Sequence, residues 1–215
     1  MDIEQARFNM VEQQIRTWEV LDPDVLDLLF VVKREDFVPP VYRALAFADL
    51  EIPLPNGERM WTPKMEARVL QELRLARGAR VLEIGTGSGY FTALLAAHGA
   101  QVTTVEIDPA LRDDARARLA RAGHDAEFVT GDGARGWGDA RYDAIVLTGS
   151  TPVLADAFRR QVNPGGRIFA VIGDAPAMKA RILHCVEEEA FAVDDLFETV
   201  VRPLRNAATL PRFVF

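Results

Sequence analysis

The chain has 215 residues, of which 49% are hydrophobic and 27% are charged. A chain of this length and composition can bury a core without disulfides or metals, so we expect one compact unit, or one domain with an extension. The 25 basic and 32 acidic residues give a net charge of −7. This charge disfavours nucleic acid as the main partner, because binding to phosphates depends on clustered cations.

Cysteine and histidine usage excludes two further classes of site. The single Cys185 cannot form an internal disulfide, and the three histidines lie far apart without metal-ligand spacing, so we predict no metal site. The first residues lack the apolar segment of a secretory signal, and no apolar run approaches the roughly 18 residues of a membrane span. We therefore expect a cytoplasmic protein that does not contact membranes. The sequence indicates no oligomeric state.

The N-terminal part predicts helices followed by a loop. Residues 1–30 have helical patterning that breaks at residues 21–23, where Asp22 would cap a second helix that has Pro23 in its first turn. Residues 51–63 contain three prolines and a glycine, which predicts an irregular loop that exposes Met60 and Trp61. Residues 64–75 form an amphipathic pattern that predicts a helix. We predict that residues 1–78 are an extension of a core formed by residues 79–215.

From Val81 onwards, short apolar runs alternate with helical stretches, which is typical of a parallel sheet with crossover helices. The predicted strands are residues 81–84, 101–106, 127–129, 142–149 and 167–173. Helices are predicted from residue 92, at 109–121 and at 153–161, with a turn at 163–166. Two long strands, 180–188 and 190–201, then indicate an antiparallel edge whose turn is the acidic run 187–189. The apolar end, residues 213–215, is expected to pack back onto the domain.

The most informative stretch is Gly85-Thr86-Gly87-Ser88-Gly89, between a buried strand and the start of a helix. Glycine permits positive φ and lets backbone N–H groups approach a ligand, while a helix N-terminus favours negative charge. A dinucleotide site would have G-x-G-x-x-G spacing, whereas this chain has G-x-G-x-G preceded by Glu83. The pattern therefore predicts S-adenosylmethionine as the cofactor.

Two later features provide the partners that such a turn needs. Glu106 follows Gly85 by about 20 residues, where doubly wound folds place the acid that accepts ribose hydroxyls; the alternative is an acid that only ends a strand. Gly131-Asp132-Gly133 turns at the end of the third strand. We predict three groups of cofactor-binding residues: Glu83, Gly85, Thr86, Gly87, Ser88 and Gly89 at the amino-acid end, Glu106 and Ile107 at the ribose, and Asp132 and Gly133 at the adenine.

Together these motifs resemble those of the protein-L-isoaspartate O-methyltransferases, from about Arg7 to Leu204. The matching segments are residues 10–11, 22–26, 37–39, 42–53, 81–90, 131–133, 142–145 and 164–166. The resemblance implies an α/β fold with a doubly wound, mainly parallel seven-stranded class I methyltransferase sheet, an antiparallel edge and an N-terminal helical extension. It also implies methylation of the α-carboxyl of isoaspartyl residues in damaged proteins.

Three positions depart from the family pattern. The family has a Thr-Ile-Ser-x-Pro segment whose serine lies at the reacting centre, and alignment on Pro63 places Trp61 there. Phe91 stands where the family usually has Gln, and Arg205 where it has Thr. The segment around Trp61 either packs the N-terminal residues onto the core or covers the cofactor.

The departures leave three functions open: an isoaspartyl enzyme with a modified loop, a related methyltransferase with another small-molecule or protein acceptor, or a cofactor-binding protein in which Trp61 blocks transfer. Thr62 and Thr148 are candidates to orient the acceptor. Trp61 would either hold the sulfonium by a cation–π contact worth roughly 0.5–2 kcal/mol or fill the acceptor pocket.

Overall fold

A seven-stranded sheet forms the centre of the computed structural model, which describes residues 2–188 and 190–209. The strands of the described part are β1 (Ile52–Pro53), β2 (Arg59–Met60), β3 (Arg80–Ile84), β4 (Gln101–Glu106), β5 (Glu127–Thr130), β6 (Tyr142–Thr151), β7 (Val162–Asp174), β8 (Ala177–Glu187) and β9 (Ala190–Glu198). The central sheet has the order β5-β4-β3-β6-β7-β8-β9. Its first five strands are parallel, whereas β8 pairs antiparallel with β7 and β9 pairs antiparallel with β8. The predicted sheet with its antiparallel edge is confirmed.

The α-helices of the described residues are α1 (Ile3–Met10), α2 (Pro23–Val31), α3 (Pro63–Leu73), α4 (Tyr90–His98), α5 (Pro109–Arg121) and α6 (Asp156–Gln161). Asp22 caps α2 as predicted, because its side chain accepts hydrogen bonds from the backbone N–H groups of Asp24 and Val25. The last of these helices, α6, is shorter than predicted. None of the helices in the described ranges is long and apolar enough to cross a membrane.

The structure corrects three local predictions. Residues 51–63 are not wholly irregular, because β1 and β2 pair in an antiparallel ribbon within them. Met60 and Trp61 are buried, with exposed fractions of 4% and 5%, so the prediction that this segment exposes them is wrong. The predicted turn at residues 163–166 lies inside β7, where the pairing with β6 shifts in register. Glu189 and residues 213–215 lie outside the described residues.

Side chains of β3 alternate between two hydrophobic clusters, one on each face of the sheet. Val81 belongs to the cluster that also contains Met10, Phe37 and Met65 from the N-terminal part of the chain. Leu82 and Ile84 belong to the cluster on the other face. Because successive strand residues point to opposite faces, Glu83 lies on the same face as Val81, under the N-terminal segment. The cluster on this face contains residues from both sides of the predicted boundary between residues 78 and 79. The division of the chain into an extension and a core stays a prediction.

We predict that Gly89→Ala destabilises the protein more than Gly123→Ala does. Both glycines have left-handed φ, +83° and +78°, but a Cβ at Gly89 would lie 2.9 Å from the Cβ of Ala115, whereas one at Gly123 would meet nothing within 4 Å. Gly123→Ala should therefore cost about 1 kcal/mol of backbone strain. Gly89→Ala should cost about 1–3 kcal/mol more, because α5 must move away. Urea unfolding measures both, and equal losses would contradict the proposed packing.

Candidate active site

The carboxyl ends of β3, β4, β5 and β6 meet around the larger of two neighbouring cavities, the main cavity, with a volume of about 740 Å³. In an open parallel sheet, a crevice forms where the strand order reverses, and here β3 has β4 on one side and β6 on the other. A smaller side cavity of about 320 Å³ lies beside it. The residues common to both linings are Arg59, Trp61, Gly85, Gly87 and Thr148.

The glycine turn, residues 85–89, separates the two cavities. Gly85 and Gly87 have positive φ and line both. Thr86 and Ser88 line the side cavity, and their hydroxyls form hydrogen bonds with Thr104 Oγ1 and the Tyr90 N–H group. Gly89 is not among the described residues that line either cavity. Its glycine is explained instead by Ala115 of α5, which lies too close for a side chain at position 89.

Thr148 fixes the start of this turn. Its Oγ1 lies 2.9 Å from the carbonyl oxygen of Ile84 and 2.6 Å from that of Gly85, to which it donates. A Cβ at Gly85 would overlap this hydroxyl, so the turn requires glycine there. Thr62, the other threonine predicted to orient an acceptor, is the N-cap of α3 and is not among the described lining residues of these cavities.

Glu106 ends β4 in the wall of the main cavity, followed by Ile107. The side chain of Glu106 is 5% exposed and accepts two backbone hydrogen bonds, from Gly87 N at 3.0 Å and Asp108 N at 3.1 Å. The carboxylate is therefore held next to the glycine turn by fixed donors. Each of its oxygens keeps a further acceptor position.

The Gly131-Asp132-Gly133 turn forms the opposite wall. Asp132 accepts hydrogen bonds from Ala134 N and from Asn206 Nδ2, at 3.1 and 2.9 Å. A Cβ at Gly133 would lie 2.7 Å from the Cδ1 of Ile84, so this backbone packs closely against the end of β3. The structure thus brings Gly85, Glu106 and Asp132 around one cavity.

Glu83 lies fully buried beneath the glycine turn and lines the side cavity. Thr92 Oγ1 donates to its Oε2 at 2.5 Å, whereas its Oε1 has no hydrogen-bond partner. Burial raises the pKa of the Glu83 carboxyl to about 7, against the opposing effect of hydrogen bonds from Thr92 and Thr104. An unpartnered buried carboxylate oxygen is costly, so Oε1 of Glu83 needs a polar partner.

Trp61 is packed into the core while it lines both cavities. Its ring makes edge contacts with Phe91 and Phe169, with centroid distances of 5.5 and 5.6 Å. Its carbonyl accepts a hydrogen bond of 2.7 Å from Nη2 of the buried Arg34, whose guanidinium also pairs with Glu66. These contacts agree with the interpretation that the segment around Trp61 packs the N-terminal residues onto the core. Trp61 also borders the candidate cofactor site.

Sequence reasoning missed several residues at the mouth of the main cavity. Glu58 pairs with Arg205 at 2.8 Å and lies 3.5 Å from Arg202, so the loop between β1 and β2 contacts the C-terminal segment. Leu204 covers Gly149, and its N–H group donates to Ser150 O. A glycine within a buried strand, Gly149 in β6, was the available signal for Leu204, whereas local sequence offered none for Glu58. Within residues 2–188 and 190–209, no group of three or more potential ligands could hold a metal ion.

We predict that Glu83→Gln changes how stability depends on pH. The folded state keeps the Glu83 proton up to about pH 7, whereas the unfolded state loses it near pH 4.5. Between these values the native state binds more protons, so this group lowers the free energy of unfolding as pH rises, by on the order of 3 kcal/mol in total. Glu83→Gln lacks this contribution.

Urea unfolding of both proteins at about pH 5 and about pH 8 provides the measurement. The stability of Glu83→Gln relative to the wild type should increase with pH, because other groups titrate alike in both and cancel. A difference that does not change with pH would show that Glu83 is ionised throughout.

The chain is similar to known proteins over most of its length. The family model described as protein-L-isoaspartate(D-aspartate) O-methyltransferase matches residues 5–206. A protein-L-isoaspartate O-methyltransferase 1 from an Anaeromyxobacter strain is 38% identical over 195 residues, which is 88% of this chain and 91% of the relative. One from Brucella anthropi is 34% identical, covering 94% of each chain.

Solved structures show the same fold. A Plasmodium falciparum protein, described as a protein-L-isoaspartate O-methyltransferase in complex with S-adenosyl-L-homocysteine, superimposes with a TM-score of 0.78. The match covers 91% of this chain and 96% of that one, at 18% identity, which shows the fold alone. The family match over nearly the whole described chain, together with these relatives, shows that the chain belongs to the protein-L-isoaspartate O-methyltransferase family.

Proposed function

We propose that this protein is an S-adenosylmethionine-dependent methyltransferase that methylates the carboxyl of isoaspartyl residues in damaged proteins. The observation that carries the proposal is that the glycine turn, Glu106 and Asp132 face one cavity in a chain that belongs to this family. The unpartnered Oε1 of Glu83 fits such a cofactor, because it leaves an acceptor on a residue that lines the side cavity.

The residues divide the cofactor between them. Glu106, with Ile107 beside it, would accept the ribose hydroxyls, since its two oxygens are oriented by backbone donors and keep free acceptor positions. Glu83 would accept from the ammonium group, and the glycine turn would border the same amino-acid end. Asp132 and Gly133 would face the adenine. When bound, S-adenosylmethionine supplies an electrophilic methyl group on a sulfonium.

The acceptor side fits a carboxylate. A carboxyl group ionises well below pH 7, so it needs no general base, and the protein has to position it for in-line attack. Arg59, Arg202 and Arg205 line the main cavity, each next to Glu51 or Glu58, and the other acidic residues of this lining are Glu106 and Asp132. Guanidinium groups bind carboxylates well, so these arginines would attract the acceptor.

The residues proposed to act at the methyl group lie near the junction of the two cavities. Thr148 lines both cavities and would orient the acceptor through the turn that it fixes. Thr62 would orient the acceptor only from the N-cap of α3, one residue beyond Trp61. The ring of Trp61 would stabilise the sulfonium by a cation–π contact of roughly 0.5–2 kcal/mol.

A second candidate function is methyl transfer to a different acceptor. It is favoured by the contact between Trp61 and Phe91, because both aromatic residues stand where the resemblance implies polar ones. A third is cofactor binding without transfer, if the Trp61 ring excludes the acceptor.

The following assay separates these functions. With labelled S-adenosylmethionine, we expect base-labile methylation of an isoaspartyl peptide and none of its aspartyl counterpart, because the acceptor carboxyl is placed differently in the two. The same peptides are incubated with Trp61→Ser. Transfer by Trp61→Ser without transfer by the wild type would indicate a diverged acceptor. Cofactor binding without transfer to any acceptor in a cell extract would indicate the third function.

We also predict that Glu106→Ala weakens cofactor binding by at least about tenfold, because it removes an oriented, charged acceptor. Calorimetric titration with S-adenosylhomocysteine provides the measurement. Glu127→Ala is the matched control: it removes one acidic side chain at the start of β5, where Glu127 accepts a hydrogen bond from Thr103 away from the cavity. Equal affinities for both variants would refute the ribose assignment.

A further inference from the structure

Two buried polar atoms without a partner in the described protein belong to residues that line the side cavity. They are Nε1 of Trp61, a hydrogen-bond donor, and Oε1 of Glu83, an acceptor. Among the described residues that line this cavity, these two are the ones that retain a buried unpartnered side-chain atom. A donor left unpaired in this way is destabilising, so its retention needs an explanation.

Other polar side chains around this cavity form hydrogen bonds within the protein. Ser88 Oγ accepts from the backbone N–H group of Tyr90, and the half-buried Thr148 Oγ1 donates to the carbonyl oxygen of Gly85. Glu66 pairs with Arg34. Nε1 of Trp61 and Oε1 of Glu83 therefore remain as a donor and an acceptor for a ligand that enters the side cavity, besides the hydroxyl hydrogen of Ser88.

The position of the Trp61 indole is fixed from two directions. Phe91 and Phe169 contact the ring edge-on, and Arg34 holds the backbone carbonyl. The side chain cannot turn its N–H group towards solvent without breaking these contacts. The indole of this lining residue is thus held in one orientation, which lowers the entropic cost of binding a ligand to it.

The pair of free atoms suits a carboxylate near an ammonium group. A carboxylate placed near the Glu83 side chain would be repelled when Glu83 is ionised, and it needs a donor to compensate; the indole N–H group is that donor. An ammonium group would in turn donate to Glu83. The methionine end of the cofactor has both groups, and an isoaspartyl acceptor has a carboxylate.

We propose that the indole N–H of Trp61 donates a hydrogen bond to a ligand carboxylate in the side cavity, and so serves as a binding residue where the family pattern has serine. The inference rests on the proposed function, because both carboxylate sources are its ligands: the methionine end of the cofactor and the isoaspartyl acceptor. It differs from the cation–π role, since that contact uses the ring face and this one uses the N–H group.

NMR of protein labelled with ¹⁵N in its tryptophan indoles tests this directly. The chain has 3 tryptophans, and the signal that disappears in Trp61→Phe is that of Trp61. S-adenosylhomocysteine has the amino-acid end, whereas 5′-methylthioadenosine lacks it. A downfield shift of the Trp61 N–H with the first probe but not the second indicates the cofactor carboxylate. A shift only after addition of isoaspartyl peptide to the S-adenosylhomocysteine complex indicates the acceptor carboxylate.

Affinities give a second readout. If the cofactor carboxylate is the partner, Trp61→Phe should weaken S-adenosylhomocysteine binding by about tenfold to a hundredfold, as expected for a hydrogen bond to a charged group. If the acceptor is the partner, the KM for the isoaspartyl peptide should rise by a similar factor while cofactor affinity stays unchanged. Trp18→Phe is the matched control, because Trp18 packs against Phe197 and Lys64 and does not line either cavity.

The outcomes also separate this inference from the proposed function. A protein that binds S-adenosylhomocysteine and methylates the peptide, but whose Trp61 N–H signal does not move with any probe, overturns the inference and leaves the function standing. A protein that neither binds S-adenosylhomocysteine nor transfers methyl groups overturns both. Thermal unfolding of Trp61→Phe distinguishes a loss of affinity from a loss of folded protein.

Discussion

The backbone pairing of β3 with both β4 and β6 is the constraint on which the candidate site depends. Because all three strands are parallel and aligned in register, the residues that follow them emerge at one edge of the sheet. The chain runs from β3 to β4 on one side, and it reaches β6 on the other side only after β5. A crevice therefore opens between these connections at the edge of the sheet. The pairing of the strands places the glycine turn, Glu106 and Thr148 at this crevice without the help of a ligand.

A second constraint acts from the N-terminal segment through one buried guanidinium. Arg34 donates to Ala46 O at 2.9 Å and to Trp61 O, and it pairs with Glu66 on α3. Burial lowers its pKa to about 10, which still leaves it charged at neutral pH. A buried pair of this kind adds little net stability, but loss of one partner would strand the other charge. The main effect of Arg34 on the site is therefore to fix the position of Trp61.

The departures from the family pattern separate into two groups once contacts are known. Trp61 and Phe91 touch each other, so the two aromatic replacements form one packing change, in which a larger ring at one position is matched by an apolar neighbour at the other. Arg205 takes no part in this cluster. It pairs with Glu58, and both residues line the main cavity.

Local sequence determined the features whose causes are local. The Asp22 cap and the strand, glycine turn and helix around Gly85 depend on residues only a few positions apart, and hydrophobic runs were enough to predict the sheet and its reversed edge. The tertiary structure alone decided the burial of Trp61, because its partners Arg34 and Phe169 come from distant segments. Glu58 and Arg205 likewise meet across a separation of 147 residues. Such contacts follow from how the elements pack, which no short stretch of sequence encodes.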